Sequence, residues 1–356
     1  MSKRGQITLF IIIGILLLLT LGIFIYLQQV ALVKPIEERL IPIVAEVPTM
    51  IAPVREFIAT CAAEIAKEGL RKMGDQGGYL ETPGSINPYE PTEGDAVMLS
   101  EDLIIPYWWY LKSKNKCEGE CEFTTNKPEL YREQGIISIE GQLDEFVEDH
   151  IDLCLRDFQN FREQGFIIEE KEPLDVQSTI ATDRVFVLVK YPLIVKKGDI
   201  SYEFSDSVAE LDVNLGEIFN LGIELVNLQA ENGFFERHTR NIIDAFSDID
   251  KNALPPVSDM LFKFGPSVIW IKFKIQEQLK ELLATYTQFL QVFGVRNYRL
   301  IDAPTGQVTD PDLFRVLYNR GMIIPLNTSH PSPEVTFSYL DFWKPYIDLN
   351  CRGQLC

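Results

Sequence analysis

The chain has 356 residues, with 52 acidic against 33 basic side chains, a formal charge of −19 and a pI near 4.7. Such a balance repels phosphate backbones and anionic lipid surfaces and argues against nucleic acid as a partner. A hydrophobic content of 46% with 11% aromatics excludes a largely disordered chain, and the residues beyond position 30 are enough for one large or two ordinary domains with their own cores.

The first element is a membrane span. Ile7 to Leu27 is 21 residues without a charge, about 31 Å as a helix at about 1.5 Å per residue, or one bilayer core. It is too long for the apolar core of a cleavable secretory leader, so retention is expected. Lys3 and Arg4 precede it, while Glu37, Glu38 and Arg39 lie beyond Lys34. The positive-inside rule then puts the N-terminus in the cytoplasm and the bulk of the chain outside the cell membrane, as a single-pass protein with an extracytoplasmic ectodomain. Residues 1–30 form the leader and transmembrane helix, and residues 31–52, punctuated by Pro35, Pro42 and Pro48, a stalk.

From Pro53 the apolar positions Val54, Ile58, Cys61, Ala62, Ile65 and Leu70 fall at helical spacing, with Gly74 as a stop. A Gly- and Pro-rich connection follows. "LIIPYWWYLKS" at 103–113 then reads as a strand carrying Tyr107, Trp108, Trp109 and Tyr110. Such a run is either a half-buried strand, the favoured reading, or a platform for stacking sugar rings; alternation would expose only every second ring. Residues 142–164 give the clearest helix, with Leu143, Phe146, Val147, Ile151, Cys154, Leu155, Phe158 and Phe161 on one stripe and Gly165 at its end. "FIIEEK", "LDVQSTIATD", "RVFVLVKYPLIVKKGD" and "ISYEFS" read as an antiparallel meander.

Beyond about residue 206–212 the pattern turns helical. A helix pair broken at Asn232 and Gly233 is followed by a long helix from Pro266 to Gly294, whose β-branched start leaves strand open for its first turns. "VRNYRLI" reads as a strand and "TDPDLFRVLYNRG" as a short capped helix. The expected class is therefore α+β: a single transmembrane helix, then a disulfide-stapled ectodomain of antiparallel strands and several amphipathic helices. Residues 53–210 would hold the α+β part with the sheet and residues 211–356 the helix-rich part.

Six cysteines, Cys61, Cys117, Cys121, Cys154, Cys351 and Cys356, suit an oxidising exterior and allow fifteen pairings. "CEGEC" and "CRGQLC" favour local bridges Cys117 with Cys121 and Cys351 with Cys356. Cys61 and Cys154 remain, each on the apolar stripe of a helix, so a bridge at a helix–helix contact is expected. A four-cysteine zinc site fits the C-x₃-C and C-x₄-C spacings poorly.

Few residues suggest chemistry. His150, His238 and His330 stand in no ligand spacing, and no nucleophile elbow, phosphate loop or dinucleotide fingerprint occurs. Asp310 with Asp312 and Asp248 with Asp250 do not extend to a calcium loop. No catalytic, cofactor or metal residue is therefore assigned, and a non-enzymatic role is expected. Asn327 heads an Asn-Thr-Ser triplet and is a candidate glycosylation acceptor.

"KRGQITLFIIIGILLLL" resembles the class III signal peptides of archaeal type IV pilin-like proteins. The resemblance implies cleavage between Gly5 and Gln6, with Lys3, Arg4, Gly5 and Gln6 as the processing site and the helix from Ile7 retained as an anchor or filament core. Where that family commonly carries a glutamate early in the helix, this chain has Phe10. "CAAEIAKEGLRKMGDQGGYLE" and "FVEDHIDLCLRDF" are similar to uncharacterised archaeal membrane-anchored surface proteins with a cysteine-bearing ectodomain. The expectation is an anchored cell-surface protein with a structural, adhesive or binding role toward an envelope protein or glycan. Its rivals are a pilin-like filament subunit and a tethered hydrolase using Tyr107–Tyr110 as a sugar platform beside paired carboxylates.

Overall fold

A computed structural model describes residues 45–89, 94–113, 117, 121–248, 250–255, 269–299 and 321–340. The processing site at Lys3–Gln6, the span at 7–27, most of the stalk, Cys351, Cys356 and almost all of the expected helix at 309–321 lie outside these residues.

Helix α1, Ala52–Asp75, starts on Pro53 and buries Val54, Ile58, Cys61, Ala62, Ala66, Gly69 and Met73. Helix α2, Ile139–Leu155, is capped by the Ser138 hydroxyl, which accepts from the Gly141 N–H, and buries Leu143, Val147, Ile151 and Leu155. The two stripes face each other, and Cys61 and Cys154 are bridged at that contact with 5.7 Å between their Cα atoms. Gly69 permits the close approach: a Cβ there would stand 2.8 Å from the Phe146 ring. The bridge inferred from two helical stripes is thus present, as is Cys117 with Cys121.

The expected single helix over 142–164 is broken. Arg156, Asp157 and Phe158 take φ of 45°, 51° and 53° before a short helix α3, Gln159–Glu163. Left-handed backbone costs an L-residue about 1–2 kcal/mol, and two interactions offset it. Phe158 turns into the core against Phe57 and Tyr191, and Arg162 holds the Asp157 carbonyl and carboxylate, each at 2.8 Å.

Four small strands, β1 Ala96–Ser100, β2 Leu103–Pro106, β3 Tyr110–Leu111 and β4 Phe123–Thr124, form two antiparallel pairs. The main sheet contains β5 Ile167–Glu170, β6 Asp175–Ile180, β7 Val185–Lys197 and β8 Ile200–Leu211, all antiparallel. The expected meander holds for β6, β7 and β8. Strand β5 instead pairs with the far half of β7, so β5 and β6 lie end to end along one edge of it. Pro192 sits where the β7–β8 register shifts, between Lys190 and Leu193, and a bulge there is the accommodation a central proline requires. Helices α1 and α2 cover this sheet in the largest core cluster, which takes in Val176, Ile180, Val187, Val189 and Leu193.

Helices α4 Leu215–Asn232 and α5 Phe234–Ala245 meet at Gly233, as expected. The long helix expected over 266–294 is shorter: α6 runs Lys272–Tyr286, and the Val-rich end forms β9, Gln291–Val295, which pairs in parallel with β10, Ile323–His330. The predicted strand at "VRNYRLI" therefore falls a few residues earlier. Here the core is divided between α4 with β9 and β10 around Leu221, Leu228 and Val292, and α5 with α6 around Ile242, Ile275 and Leu279. The described residues are mixed α+β, antiparallel in the main sheet and stapled by two bridges.

Candidate functional site

The expected single strand through 103–113 is interrupted: β2 ends at Pro106 and β3 begins at Tyr110, so Tyr107, Trp108 and Trp109 lie in the connection between them and exposure does not alternate along the run. Trp108 turns inward: its Nε1–H donates to the Gly77 carbonyl at 2.9 Å and its ring meets Phe219 edge-on at 5.2 Å. Gly222 of α4 is required beside it, since a Cβ there would lie 2.8 Å from the indole. Tyr107 and Tyr110 are half-buried, and burial, with the Asp95 charge, pushes both phenols above their ordinary value.

Trp109 points outward and is 38% exposed. It lies flat on Phe123, itself 48% exposed, with centroids 5.0 Å apart and planes within 1°. Tyr110 and Phe123 begin the two strands of a small hairpin whose connection is closed by Cys117–Cys121 and flanked by the Lys112–Glu122 pair at 2.8 Å. The bridge closes so short a loop that it acts on the local shape of the hairpin more than on the whole domain. Of the four rings in the run only Trp109 faces outward as an exposed residue, and Phe123, not singled out from sequence, completes the exposed pair.

Two polar constellations escaped sequence reading. On α2, Glu140, Asp144 and Glu148 stand four residues apart and accept from the backbone N–H groups of Ile180, Ser178 and Val176 in turn. Four helical residues rise about 6 Å and two strand residues about 6.6 Å. The carboxylates thus match every second N–H along the free edge of β6. Arg132 completes the ladder: its guanidinium binds Asp144, and its backbone N–H donates to Glu140 at 2.9 Å. Burial raises the Asp144 carboxyl above its usual value, against hydrogen bonds from Ser178 and Arg132. A groove of about 520 Å³ opens beside the ladder, walled by Asp144, Glu145, Glu148 and Asp175. The E-x₃-D-x₃-E spacing was the only sequence signal.

The second constellation joins α4 to β10. Glu224 accepts from the N–H groups of Asn327 and Thr328, the Thr328 hydroxyl and His330 Nε2. Burial opposes its ionisation, but the hydrogen bonds from Thr328, Asn327 and His330 prevail and hold the carboxyl below its ordinary value. Thr328 and Glu224 meet the same imidazole nitrogen, so the three do not form a relay in which a base is oriented through its second nitrogen. The Asn-Thr-Ser triplet headed by Asn327 stands in an exposed part of β10. His238 is buried with Nε2 unpartnered, and burial pushes its pKa down. His150 stacks on Phe146 and its Nδ1 lies 2.8 Å from the Phe146 carbonyl.

Among the described residues no three His, Cys, Asp or Glu side chains converge as a metal site, and no helix is long and apolar enough to cross a membrane. No family model matches the chain, and no curated protein or solved structure matches it either.

Proposed function

We infer that the chain is a single-pass cell-surface protein, held in the bilayer by residues 7–27, whose stapled ectodomain binds an envelope protein or glycan. The supporting observation for binding is the exposed Trp109–Phe123 stack on a bridged hairpin. Two rings locked in parallel present a rigid apolar face at little conformational cost, the property that makes aromatic side chains dominant anchors at interfaces. The anchoring half of the reading rests on the uncharged stretch and its basic flank.

Mass spectrometry of the N-terminal peptide from the membrane fraction tests the anchoring. A start at Gln6 with the helix retained supports pilin-type processing, a start at Met1 or Ser2 supports an uncleaved anchor, and a start beyond Leu27 refutes both. For binding, Trp109→Ala is expected to weaken adhesion of the full chain to isolated envelope fractions about tenfold or more, with an unchanged melting temperature. Undiminished adhesion would rule out this hairpin as the binding face.

A further inference from the structure

Strand β10 leaves its partner for four residues. Pro325 pairs with Phe293 and His330 with Val295, so residues 326–329 stand against Gly294 alone and form an arch. Gly294 turns beneath it with a φ of 98°, a conformation open chiefly to glycine, and its carbonyl accepts from the Ser329 hydroxyl at 3.3 Å. The arch carries Asn327, Thr328 and Ser329, the only Asn-X-Ser/Thr triplet in the chain, and all three residues are exposed.

The polar groups of the triplet are unequally used. Glu224 accepts from the backbone N–H groups of Asn327 and Thr328 and from the Thr328 hydroxyl, which fixes the arch to α4. The Asn327 carboxamide has no hydrogen-bond partner among the described residues. Asn297 shows the contrary case: its carboxamide is half-buried, accepts from the Val335 N–H at 3.1 Å and donates to the Val335 carbonyl at 2.8 Å. An asparagine that carries a bulky sugar must keep its amide nitrogen in solvent. The fold meets that requirement at Asn327 by lifting it out of the sheet.

We propose that Asn327 carries an N-linked glycan, and that the two hydroxyl residues after it have separate duties. Ser329 completes the acceptor triplet, and Thr328 holds the arch to Glu224. The proposal rests on the reading that this part of the chain is extracytoplasmic. In the transfer, the Asn327 amide nitrogen bonds to the anomeric carbon of an oligosaccharide carried on a lipid phosphate. The anomeric C–O bond breaks, its electron pair leaves on the phosphate, and the amide proton passes to a base of the transferase.

Peptide mass spectrometry of the full chain, taken from the membrane fraction of the cells that make it, tests this. An oligosaccharide mass is expected on Asn327, lost in Asn327→Gln and in Ser329→Ala and retained in Thr328→Ala. The melting temperature should separate the two hydroxyls the other way, falling in Thr328→Ala and holding in Ser329→Ala, which gives up one contact. Unmodified Asn327 in the native chain, or a sugar that survives Ser329→Ala, overturns the proposal. Labelling of intact cells with a membrane-impermeant amine reagent reports location separately. A labelled ectodomain with a bare Asn327 refutes the glycan alone, whereas an unlabelled ectodomain refutes the extracytoplasmic reading and the glycan with it.

Discussion

The part of the molecule built on α1, α2 and the main sheet and the part built on α4 to α6 with β9 and β10 use the same device to different depth. In both, helix carboxylates accept from strand N–H groups. The first has three in register, Glu140, Asp144 and Glu148, over one continuous core and beside a buried bridge. In the second a single residue, Glu224, meets two N–H groups over smaller, divided clusters, with no bridge among the described residues. An exposed strand edge invites unwanted pairing, and a repeated carboxylate covers more of it than one can. The first part should therefore be the stable frame and the second the part that responds to conditions.

The largest way to break that contrast is to remove the frame's bridge. Cys61 and Cys154 are 93 residues apart in sequence, and closing so long a loop restricts the unfolded chain by about 4–5 kcal/mol. Cys61→Ala/Cys154→Ala should lower the urea midpoint accordingly. The same replacement at Cys117 and Cys121, only 4 apart, should cost about 2 kcal/mol and leave exchange in α1 and α2 unchanged. Equal losses would mean that loop length does not govern either bridge.

Asp144→Ala comes next. It leaves the buried Ser178 N–H without its acceptor and Arg132 without its carboxylate, at about 1–3 kcal/mol, seen as a lower urea midpoint and faster exchange at Ser178. Arg132 is partly solvated, so Arg132→Ala should cost less.

The smallest effect sharpens the contrast through pH. His238 has a folded-state pKa below its ordinary value of about 6.5 because burial disfavours the cation. Its contribution is fully present above that ordinary value and is lost as pH falls from it toward the folded-state pKa, because the unfolded chain takes up the proton first. Glu224 acts at lower pH: its contribution is present above the usual carboxylate range and is lost as pH falls through its depressed pKa. Exchange in α5 should quicken below about pH 6.5 while α1 and α2 stay protected, and His238→Phe should flatten that response. An unchanged pH response in His238→Phe would remove this histidine from the account.

Local periodicity made α1, α2, α4, α5 and most strands legible, because a face that must be buried repeats every 3.6 or 2 residues whatever lies opposite. It also sufficed for Cys61 with Cys154, since each cysteine stands on or beside its helix's apolar stripe. Only the tertiary structure decided the rest. The turn at 156–158 exists because Phe158 finds room beside Phe57 and Tyr191, and β5 takes the far half of the same β7 edge that β6 lines rather than pairing with β6. Glu140, Asp144 and Glu148 became a ladder only when β6 came to lie alongside α2, and Glu224 met His330 across 106 positions. A polar side chain's partner is set by its neighbour in space, which a one-dimensional pattern does not contain.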